Sequence, residues 1–360
     1  MKHLLRRMAF RQFKKHEASL HELSYLFWEC TTRCNLNCRH CGSDCSKNSS
    51  CKDMPLNDFL TALDTIEKIP ENFTVVLTGG EPLLRKDIEL CGREIRKRGM
   101  RWSMVTNGYL YSREKHISLL NAGLGALTIS LDGLKESHNW LRNNSSSFDR
   151  VDAAIELAAS SSRINFDVVT CVNKKNFHEL EQIKKYLTGK GVKAWRLFTI
   201  IPIGRAKNNP DMFLDNWEFE ALMDFIRQAR KDSKIDVKFS CEGFVEKYEW
   251  KVRDGGFFCR AGINIGSVLA DGAIAACPNI DKSFAQGNIY KDNFFEIWKT
   301  KYQPFRDRSW TKIGQCENCK SYKDCQGNGF HYWHGDKNNV LVCHKEKLKT
   351  TNRKLNKREK

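Results

Sequence analysis

Three cysteines lie close together in the segment Cys34-Asn35-Leu36-Asn37-Cys38-Arg39-His40-Cys41, with the spacing C-x3-C-x2-C. They follow an apolar run at 25–28 that predicts a buried strand. Because strand side chains point to alternate faces, only a loop brings three thiolates around one centre at this spacing. A structural zinc takes four protein ligands, whereas three thiolates leave one iron of a cluster open to another molecule. A zinc site completed by Cys30, Cys45 or His40 is the alternative.

A second set of cysteines occupies the C-terminal third of the chain. Cys259 and Cys277 come first, and a group with the spacing C-x2-C-x5-C and one distant cysteine follows: Cys316, Cys319, Cys325 and Cys343. Four thiolates in this arrangement fit a zinc ribbon or an iron–sulfur cluster. The spacing alone leaves both open.

The composition favours metal or catalytic roles for these thiols over disulfides. The chain has 360 residues and 15 cysteines, and charge interrupts its first eight residues before a signal-peptide core forms. It contains no run of 18 apolar residues, so we expect no membrane span. We expect a cytoplasmic protein, in which cysteines are more often ligands than disulfide partners.

The net charge of +17 is concentrated partly at the two ends. Residues 1–21 predict a basic helix that docks on the barrel, and residues 346–360 predict a solvated basic tail. An excess of positive charge suits an acidic partner. Because no RNA-binding motif accompanies it, we expect neither a nucleic-acid partner nor peripheral membrane contact.

Strand-like and helix-like stretches alternate six times between residues 23 and about 205. The predicted strands are 23–29, 73–78, 102–106, 126–131, 164–172 and 194–202, and the predicted helices lie near 56–69, 87–98, 112–122, 148–160 and 176–188. Six βα repeats predict an α/β fold with a parallel sheet curled into a partial (βα)6 barrel over 22–214. A linker helix and strand at 215–255 and a small Cys-rich domain at 256–345 follow.

Polar residues and glycines stand at the carboxyl ends of these strands, where barrel active sites lie. The segment Gly79-Gly80-Glu81-Pro82 ends the second strand. Thr106-Asn107-Gly108 ends the third, and Ser130-Leu131-Asp132-Gly133 ends the fourth. Glycines let a backbone approach a ligand closely, and the polar side chains form a hydrogen-bonding lip. Asn107 and Asp132 are equally suited to capping turns.

These motifs together resemble those of the radical S-adenosylmethionine (SAM) enzymes. The resemblance implies that Cys34, Cys38 and Cys41 hold a [4Fe–4S] cluster whose free iron binds SAM. It further implies that Gly79, Gly80 and Glu81 bind the SAM amino group. SAM ribose or carboxylate contacts are implied for Ser130, Asp132 and Arg142, with Asn107 in the same lip. The segment Ile201-Pro202-Ile203-Gly204-Arg205 resembles the one that packs against adenine, and His40 is expected to pack rather than ligate.

The C-terminal cysteines resemble the SPASM extension of peptide-modifying radical SAM enzymes. The resemblance implies one auxiliary [4Fe–4S] cluster on Cys316, Cys319, Cys325 and Cys343. The family pattern has a further cysteine where this chain has Gly329, and residues 260–265 contain none. We therefore expect the second auxiliary site, at Cys259 and Cys277, to be lost or to hold a smaller cluster that borrows Cys241 or another group. Two [4Fe–4S] clusters, about eight irons, are the expectation.

The resemblance implies an oxidoreductase that reductively cleaves SAM, generates a 5′-deoxyadenosyl radical and modifies a peptide or small protein. An electron donor such as flavodoxin or ferredoxin is implied as a partner. One alternative is an enzyme acting on a tetrapyrrole or another small cofactor precursor. A second alternative is a zinc-binding nucleic-acid adaptor. Pro278 stands where sulfatase-maturing relatives carry an acidic residue, which argues against that activity.

Overall fold

The structure, a computed structural model, describes residues 2–240, 242–334 and 340–355. The strands are β1 Tyr25–Thr31, β2 Thr74–Gly79, β3 Arg101–Thr106, β4 Leu124–Ser130, β5 Asn165–Val172, β6 Ala194–Thr199, β7 Asp236–Phe239, β8 Ile265–Val268, β9 Ala273–Ala275 and β10 Gly287–Asn288. The α-helices are α1 Lys2–Leu20, α2 Leu56–Asp64, α3 Ile88–Lys97, α4 Arg113–Asn121, α5 Lys135–Arg142, α6 Ser147–Ala159, α7 Leu180–Gly189, α8 Asn216–Ala229, α9 Phe294–Thr300, α10 Gln303–Arg306, α11 Tyr322–Cys325 and α12 His344–Leu355.

Strands β1 to β6 form a parallel sheet in chain order, as the six βα repeats predict. Each pair of neighbours in this run is parallel. The α/β fold class with a partial barrel is therefore confirmed. The helix α5, between β4 and α6, was not predicted, although it carries Arg142.

The two faces of the strands differ in burial, and this difference positions the site. On β1, Leu26 and Trp28 are fully buried beneath the outer helices, where Trp28 stacks on Phe59 of α2 at 4.0 Å. The neighbouring Phe27 is only half-buried, and the Cγ atom of Glu29 would lie 3.3 Å from a Cβ atom placed on Gly79 at the tip of β2. Because strand side chains alternate, Phe27 and Glu29 face the barrel interior. The interior is thus more open than the layer under the helices.

The C-terminal half joins the same sheet. Strand β8 pairs in parallel with β1, in the register Tyr25↔Ile265, and β7 pairs in parallel with β6. The complete order is β10-β9-β8-β1-β2-β3-β4-β5-β6-β7. The strand predicted as part of a linker is therefore the seventh parallel strand. The predicted solvated tail begins as α12, which packs on α8 and buries Leu348.

The basic helix α1 docks on the C-terminal half and not on the barrel, which corrects the expectation. Asp324 of α11 binds the guanidinium groups of Arg7 and Arg11. The ring of Phe10 contacts Trp250 edge-on at 5.0 Å. Leu4 on the other side of α1 stays exposed. Among the described residues no helix combines the length and the apolar character needed to cross a bilayer.

Candidate active site

The end of β1 leads directly into the cysteine loop, and the segment after β2 fixes that exit. Gly80 N–H donates to the Thr31 carbonyl at 2.8 Å, and Glu81 N–H donates to the Arg33 carbonyl at 2.9 Å. A Cβ atom on Gly80 would lie 2.1 Å from the Arg33 oxygen. Any side chain at residue 80 would therefore push the loop away, so glycine is required for this close approach.

The three cysteines of the triplet lie together at the top of the barrel. Cys34 and Cys38 are buried in one small cluster, and Cys41 packs against it. Burial raises the pKa of the Cys34 thiol to about 11, because a thiolate is poorly solvated there. A thiolate held by iron needs no water, so this buried set fits the cluster implied by the motif.

Cys45, which the sequence suggested only as a possible fourth ligand of a zinc site, also lies at this site. It is buried in the same cluster as Cys34 and Cys38. Its thiol hydrogen-bonds to Cys41, which lowers the pKa of Cys41 to about 6. The sequence did place Cys45 only four residues after Cys41, which could have indicated that it belongs to the same loop. The loop closes next to Cys45, where Cys34 N–H donates to the Ser46 carbonyl at 2.9 Å. Cys30, by contrast, donates to the Thr78 carbonyl.

The structure brings Asp132 and Arg142 to the triplet. Arg142 Nη2 lies 2.6 Å from Asp132 Oδ2, and Arg142 Nη1 lies 3.7 Å from the sulfur of Cys38. Burial disfavours the charged form of both side chains. The attraction between the two opposite charges outweighs burial, so the pKa of Arg142 is raised and the pKa of Asp132 is lowered. Arg142 Nε has no hydrogen-bond partner among the described residues. A guanidinium beside the thiols suits an anionic cluster and a carboxylate ligand.

The carboxylate of Glu81 is fully buried and satisfied within the protein. Oε1 accepts from the Thr106 hydroxyl at 2.8 Å and from Leu83 N–H at 3.2 Å, and Oε2 accepts from Asn107 N–H at 2.8 Å. Burial raises the pKa of Glu81 in spite of these bonds. The side chain thus joins the tips of β2 and β3 and does not present a free carboxylate.

Asn107 and Ser130 stand at the tips of β3 and β4. Asn107 Nδ2 donates to Asn35 Oδ1 at 2.9 Å and lies 3.9 Å from the sulfur of Cys34. Its Oδ1 accepts from Tyr109 N–H, as a turn cap does. The turn-cap interpretation of Asn107 is therefore confirmed, and its contact with SAM stays a prediction. Ser130 is half-buried at the end of its strand.

The segment after β6 also holds the cysteine loop. Arg205 Nε donates to the Cys38 carbonyl at 2.8 Å, and Arg205 N–H donates to the Cys41 carbonyl at 3.0 Å. Gly204 has φ +53°, and a Cβ atom there would lie 2.5 Å from the Cys41 oxygen. The backbone of this segment therefore packs directly on the loop that carries the triplet.

His40 lies inside this site, where it packs against charged groups. Its Nε2 is 3.8 Å from Asp132 Oδ2, and the potential ligand atoms of His40, Asp132 and Cys171 lie within 4.8 Å of one another. Burial lowers the pKa of His40 to about 4, so the ring is neutral at pH 7. Asp132 already pairs with Arg142, and the packing role expected for His40 stays a prediction.

The C-terminal cysteines form a second, partly buried site near α1. The thiols of Cys316, Cys319, Cys325 and Cys343 influence one another electrostatically. Lys345 Nζ donates to the sulfur of Cys319 at 3.3 Å, and Asn328 N–H donates to the sulfur of Cys325 at 3.2 Å. Donors aimed at sulfur stabilise thiolates that carry a cluster.

Arg308 provides the sharpest test of fit for this site. Its side chain is 8% exposed, and its Nε and Nη2 are buried without a hydrogen-bond partner among the described residues. It acts electrostatically on Cys316 and Cys325. A buried cation with free donors is costly unless an anion is present. Four thiolates around an iron–sulfur cluster supply that negative charge, so the residues fit the group.

Cys259 and Cys277, two further cysteines of this half, are partly buried against the core. The sulfur of Cys259 accepts from Phe330 N–H at 3.5 Å. Gly329 stands where the pattern has a cysteine, and a Cβ atom there would lie 2.3 Å from the carbonyl oxygen of Glu242. Cys241, named as a ligand that this site might borrow, lies outside the described residues.

A cavity of about 360 Å³ lies between the cysteine loop and the C-terminal half. Gly42 and Ser43, next to Cys41, line one side together with Glu29 of β1. The turn after Cys277 lines the other side, including Lys282. A volume of this size is within the range of small-molecule sites. Burial raises the pKa of Glu29, which also accepts from Ala270 N–H at 3.1 Å.

Comparisons with known proteins agree with this geometry. The model of the radical SAM superfamily matches residues 28–187, and the model of the SPASM iron–sulfur cluster-binding domain matches residues 259–320. Together these domains imply a [4Fe–4S] cluster, SAM and auxiliary iron–sulfur clusters. The zinc-binding adaptor has no support among these findings.

Two relatives and one solved structure illustrate the similarity. The AdoMet-dependent heme synthase of Methanosarcina barkeri is 27% identical over 318 residues, 83% of this chain and 89% of that protein. The Fe-coproporphyrin III synthase of the same organism is 25% identical over 332 residues, 84% and 82% of the two chains. The solved structure of anSMEcpe with bound AdoMet and a Cp18Cys peptide aligns with a TM-score of 0.70 and 20% identity. The alignment covers 93% of this chain and 98% of that one, and it supports the fold. The chain belongs to the radical SAM superfamily and carries a C-terminal SPASM domain.

Proposed function

We propose that this radical SAM enzyme acts on a tetrapyrrole. The observation that carries the proposal is the cavity of about 360 Å³ that adjoins the loop of the triplet and is closed on its other side by the SPASM domain. A molecule in that cavity lies against the residues that follow Cys41. The relatives named a heme synthase and an Fe-coproporphyrin III synthase, each aligned over more than four fifths of this chain, support the tetrapyrrole class.

The same proposal assigns the residues of the upper barrel. Cys34, Cys38 and Cys41 bind the [4Fe–4S] cluster, and Cys316, Cys319, Cys325 and Cys343 bind an auxiliary cluster. Gly79, Gly80, Asn107, Ser130, Asp132 and Arg142 surround SAM, while Glu81 fixes the strand tips that carry them. The cofactors, when bound, supply the one-electron cleavage of SAM and the hydrogen abstraction that follows. The protein binds and orients the reactants and excludes water.

Lys282 gives the cavity a cation for an acidic substituent on the substrate. It is 68% exposed and pairs with Asp271 at 2.7 Å. Lys97 on α3 offers a matched control, because it is 70% exposed, pairs with Glu94 at 2.6 Å and is not among the residues that line the cavity. Lys282→Glu should therefore weaken the binding of a carboxylated tetrapyrrole several-fold, and Lys97→Glu should not.

The test uses reconstituted enzyme under anaerobic conditions with SAM, a reductant and Fe-coproporphyrin III. We expect saturable binding in the absorbance spectrum, a SAM-dependent mass change of the tetrapyrrole, and 5′-deoxyadenosine that rises with substrate. The Cys34→Ala/Cys38→Ala/Cys41→Ala variant is the control and should give no product. Binding that Lys282→Glu and Lys97→Glu alter equally, or no mass change, would contradict the proposal.

A peptide substrate is the second candidate, and the similarity in fold to a peptide-bound structure supports it. The similar structure of anSMEcpe holds a peptide, and the SPASM domain is present here as well. A short peptide encoded next to this gene, converted with SAM while Fe-coproporphyrin III is not, would favour this candidate. For either substrate we expect a flavodoxin- or ferredoxin-type electron donor.

A further inference from the structure

The imidazole of His331 occupies the space that a side chain at residue 329 would fill. A Cβ atom on Gly329 would lie 2.6 Å from Cε1 and 3.1 Å from Nε2 of His331. A cysteine at 329 would therefore require this ring to move from its present position. The glycine that removes the expected cysteine also makes room for the histidine two residues later.

The segment 329–334 is tied to Cys259 on one side. Phe330 N–H donates to the sulfur of Cys259 at 3.5 Å. The ring of Phe330 stacks on Phe305 at 4.1 Å, which fixes the backbone that makes this contact. Cys259 is thus adjacent in space to the residue that immediately precedes His331.

The turn that begins at Cys277 is tied to the same segment on the other side. Ile280 N–H donates to the Cys277 carbonyl at 3.2 Å. The next residue, Asp281, has its Oδ2 2.9 Å from Nδ1 of His334. His331 therefore lies on a short segment held between the neighbours of Cys259 and the turn of Cys277.

The Nε2 atom of His331 is buried and has no hydrogen-bond partner among the described residues. A buried ring nitrogen without a partner is costly, and coordination to a metal is one way to satisfy it. The nearby Arg308 also has buried donors without partners there, so the surroundings favour added negative charge. Imidazole and thiolate ligands are known to share one iron–sulfur centre.

We propose that His331 is the third protein ligand, beside Cys259 and Cys277, of an iron–sulfur centre at the position of the second auxiliary cluster. The described residues supply these three ligands. The sequence-based expectation was that this site is lost or holds a smaller cluster with a borrowed ligand such as Cys241, and it did not name this histidine. The proposal does not depend on the identity of the substrate.

The experiment uses full-length protein grown with ¹⁵N-histidine and reconstituted anaerobically, with pulsed EPR of the reduced protein and iron counting as readouts. We expect a strongly coupled histidine nitrogen in the wild type and in the control His178→Ala, and more than about eight irons in both. His331→Ala should lose the nitrogen coupling and should match the iron content of Cys259→Ala/Cys277→Ala. His331→Cys should keep the iron and lose the coupling, which separates ligation from folding.

Three results would overturn the proposal. One is a wild type with about eight irons that His331→Ala leaves unchanged. Another is nitrogen coupling that survives in both His331 variants. The third is stoichiometric zinc, removed by Cys259→Ala/Cys277→Ala, in place of additional iron.

Discussion

Arg142 Nη2 lies 2.6 Å from Asp132 Oδ2, so the C-terminal end of α5 is bonded to the turn after β4 beside the cysteine triplet. Both side chains are at least nine-tenths buried. Asp132 Oδ1 also accepts from Cys171 N–H at 2.8 Å, which holds the carboxylate at the tip of β5. The pair therefore connects three elements of the barrel rim to the sulfur of Cys38.

Asp132→Asn should destabilise the protein strongly, because it leaves the Arg142 cation buried without its partner. Breaking a buried ion pair in this way costs about 3–5 kcal/mol. The matched control is Asp149→Asn, since Asp149 pairs with Lys135 on the surface and should contribute less than about 1 kcal/mol. Anaerobic denaturant unfolding measures both. Equal effects of the two substitutions would show that the Asp132 pair has no special role.

Replacing Cys34, Cys38 and Cys41 together by alanine should remove about four irons and abolish 5′-deoxyadenosine formation. Cys45→Ala is the informative control, because Cys45 is buried in the same cluster but stands outside the triplet. We expect Cys45→Ala to retain these irons and to cleave SAM. If Cys45→Ala also loses about four irons, Cys45 is a ligand and the assignment of the triplet is incomplete.

Glu81→Gln should lower SAM affinity about 10-fold, through misplaced strand tips. Both carboxylate oxygens accept hydrogen bonds, so the amide of glutamine turns a donor toward another donor in a buried place. Thr106→Val removes one of these bonds and should act in the same direction with a smaller effect. Calorimetry with SAM measures both variants, and Glu114→Gln on the surface of α4 serves as control. Unchanged SAM binding in Glu81→Gln would refute this role.

The sequence predicted those parts of the site in which the functional residues lie close together along the chain. The Cys34–Cys41 triplet and the Gly79–Glu81 turn lie within single loops at strand ends, so pattern and position coincide. The six parallel strands followed from hydrophobic runs for the same reason. Glu81 was assigned to SAM because its segment was recognised, but its hydrogen-bond partners on β3 depend on the tertiary fold.

What the sequence did not predict depends on contacts between distant segments. The pairing of β8 with β1 joins the C-terminal half to the barrel sheet, and no local pattern encodes that register. The docking of α1 is determined by Asp324, which carries no recognisable motif. A search for cysteine spacing likewise misses His331. The proposed ligand is a histidine in place of a cysteine, and it stands two residues after the position at which the pattern has its cysteine.

Acidification below pH 6.5 should destabilise the protein through His138. Burial lowers the pKa of this ring to about 3, and Nδ1 accepts from Asp132 N–H at 3.0 Å. Between pH 6.5 and about 3, His138 therefore binds fewer protons in the folded state than in the unfolded state. The contribution of His138 to the free energy of unfolding should fall by about 1.4 kcal/mol for each pH unit in that window. Anaerobic unfolding at pH 7.5 and 5.5 should show a smaller difference for His138→Gln, and an identical pH dependence would contradict the assignment.

Arg308→Gln should make the reduction potential of the auxiliary cluster more negative. Arg308 is a buried cation that acts electrostatically on Cys316 and Cys325, and positive charge near a cluster favours the reduced state. At an effective dielectric constant of about 20, one charge at cluster distance shifts the potential by tens of millivolts.

Lys345→Gln, which removes a donor to Cys319, should shift the reduction potential in the same direction. The exposed Lys349, paired with Glu346, provides the control Lys349→Gln. EPR-monitored redox titration of protein in which the triplet, Cys259 and Cys277 are all replaced by alanine isolates the signal of the cluster on the Cys316 set. A potential that stays constant, or becomes more positive in Arg308→Gln, would show that the guanidinium does not face the cluster.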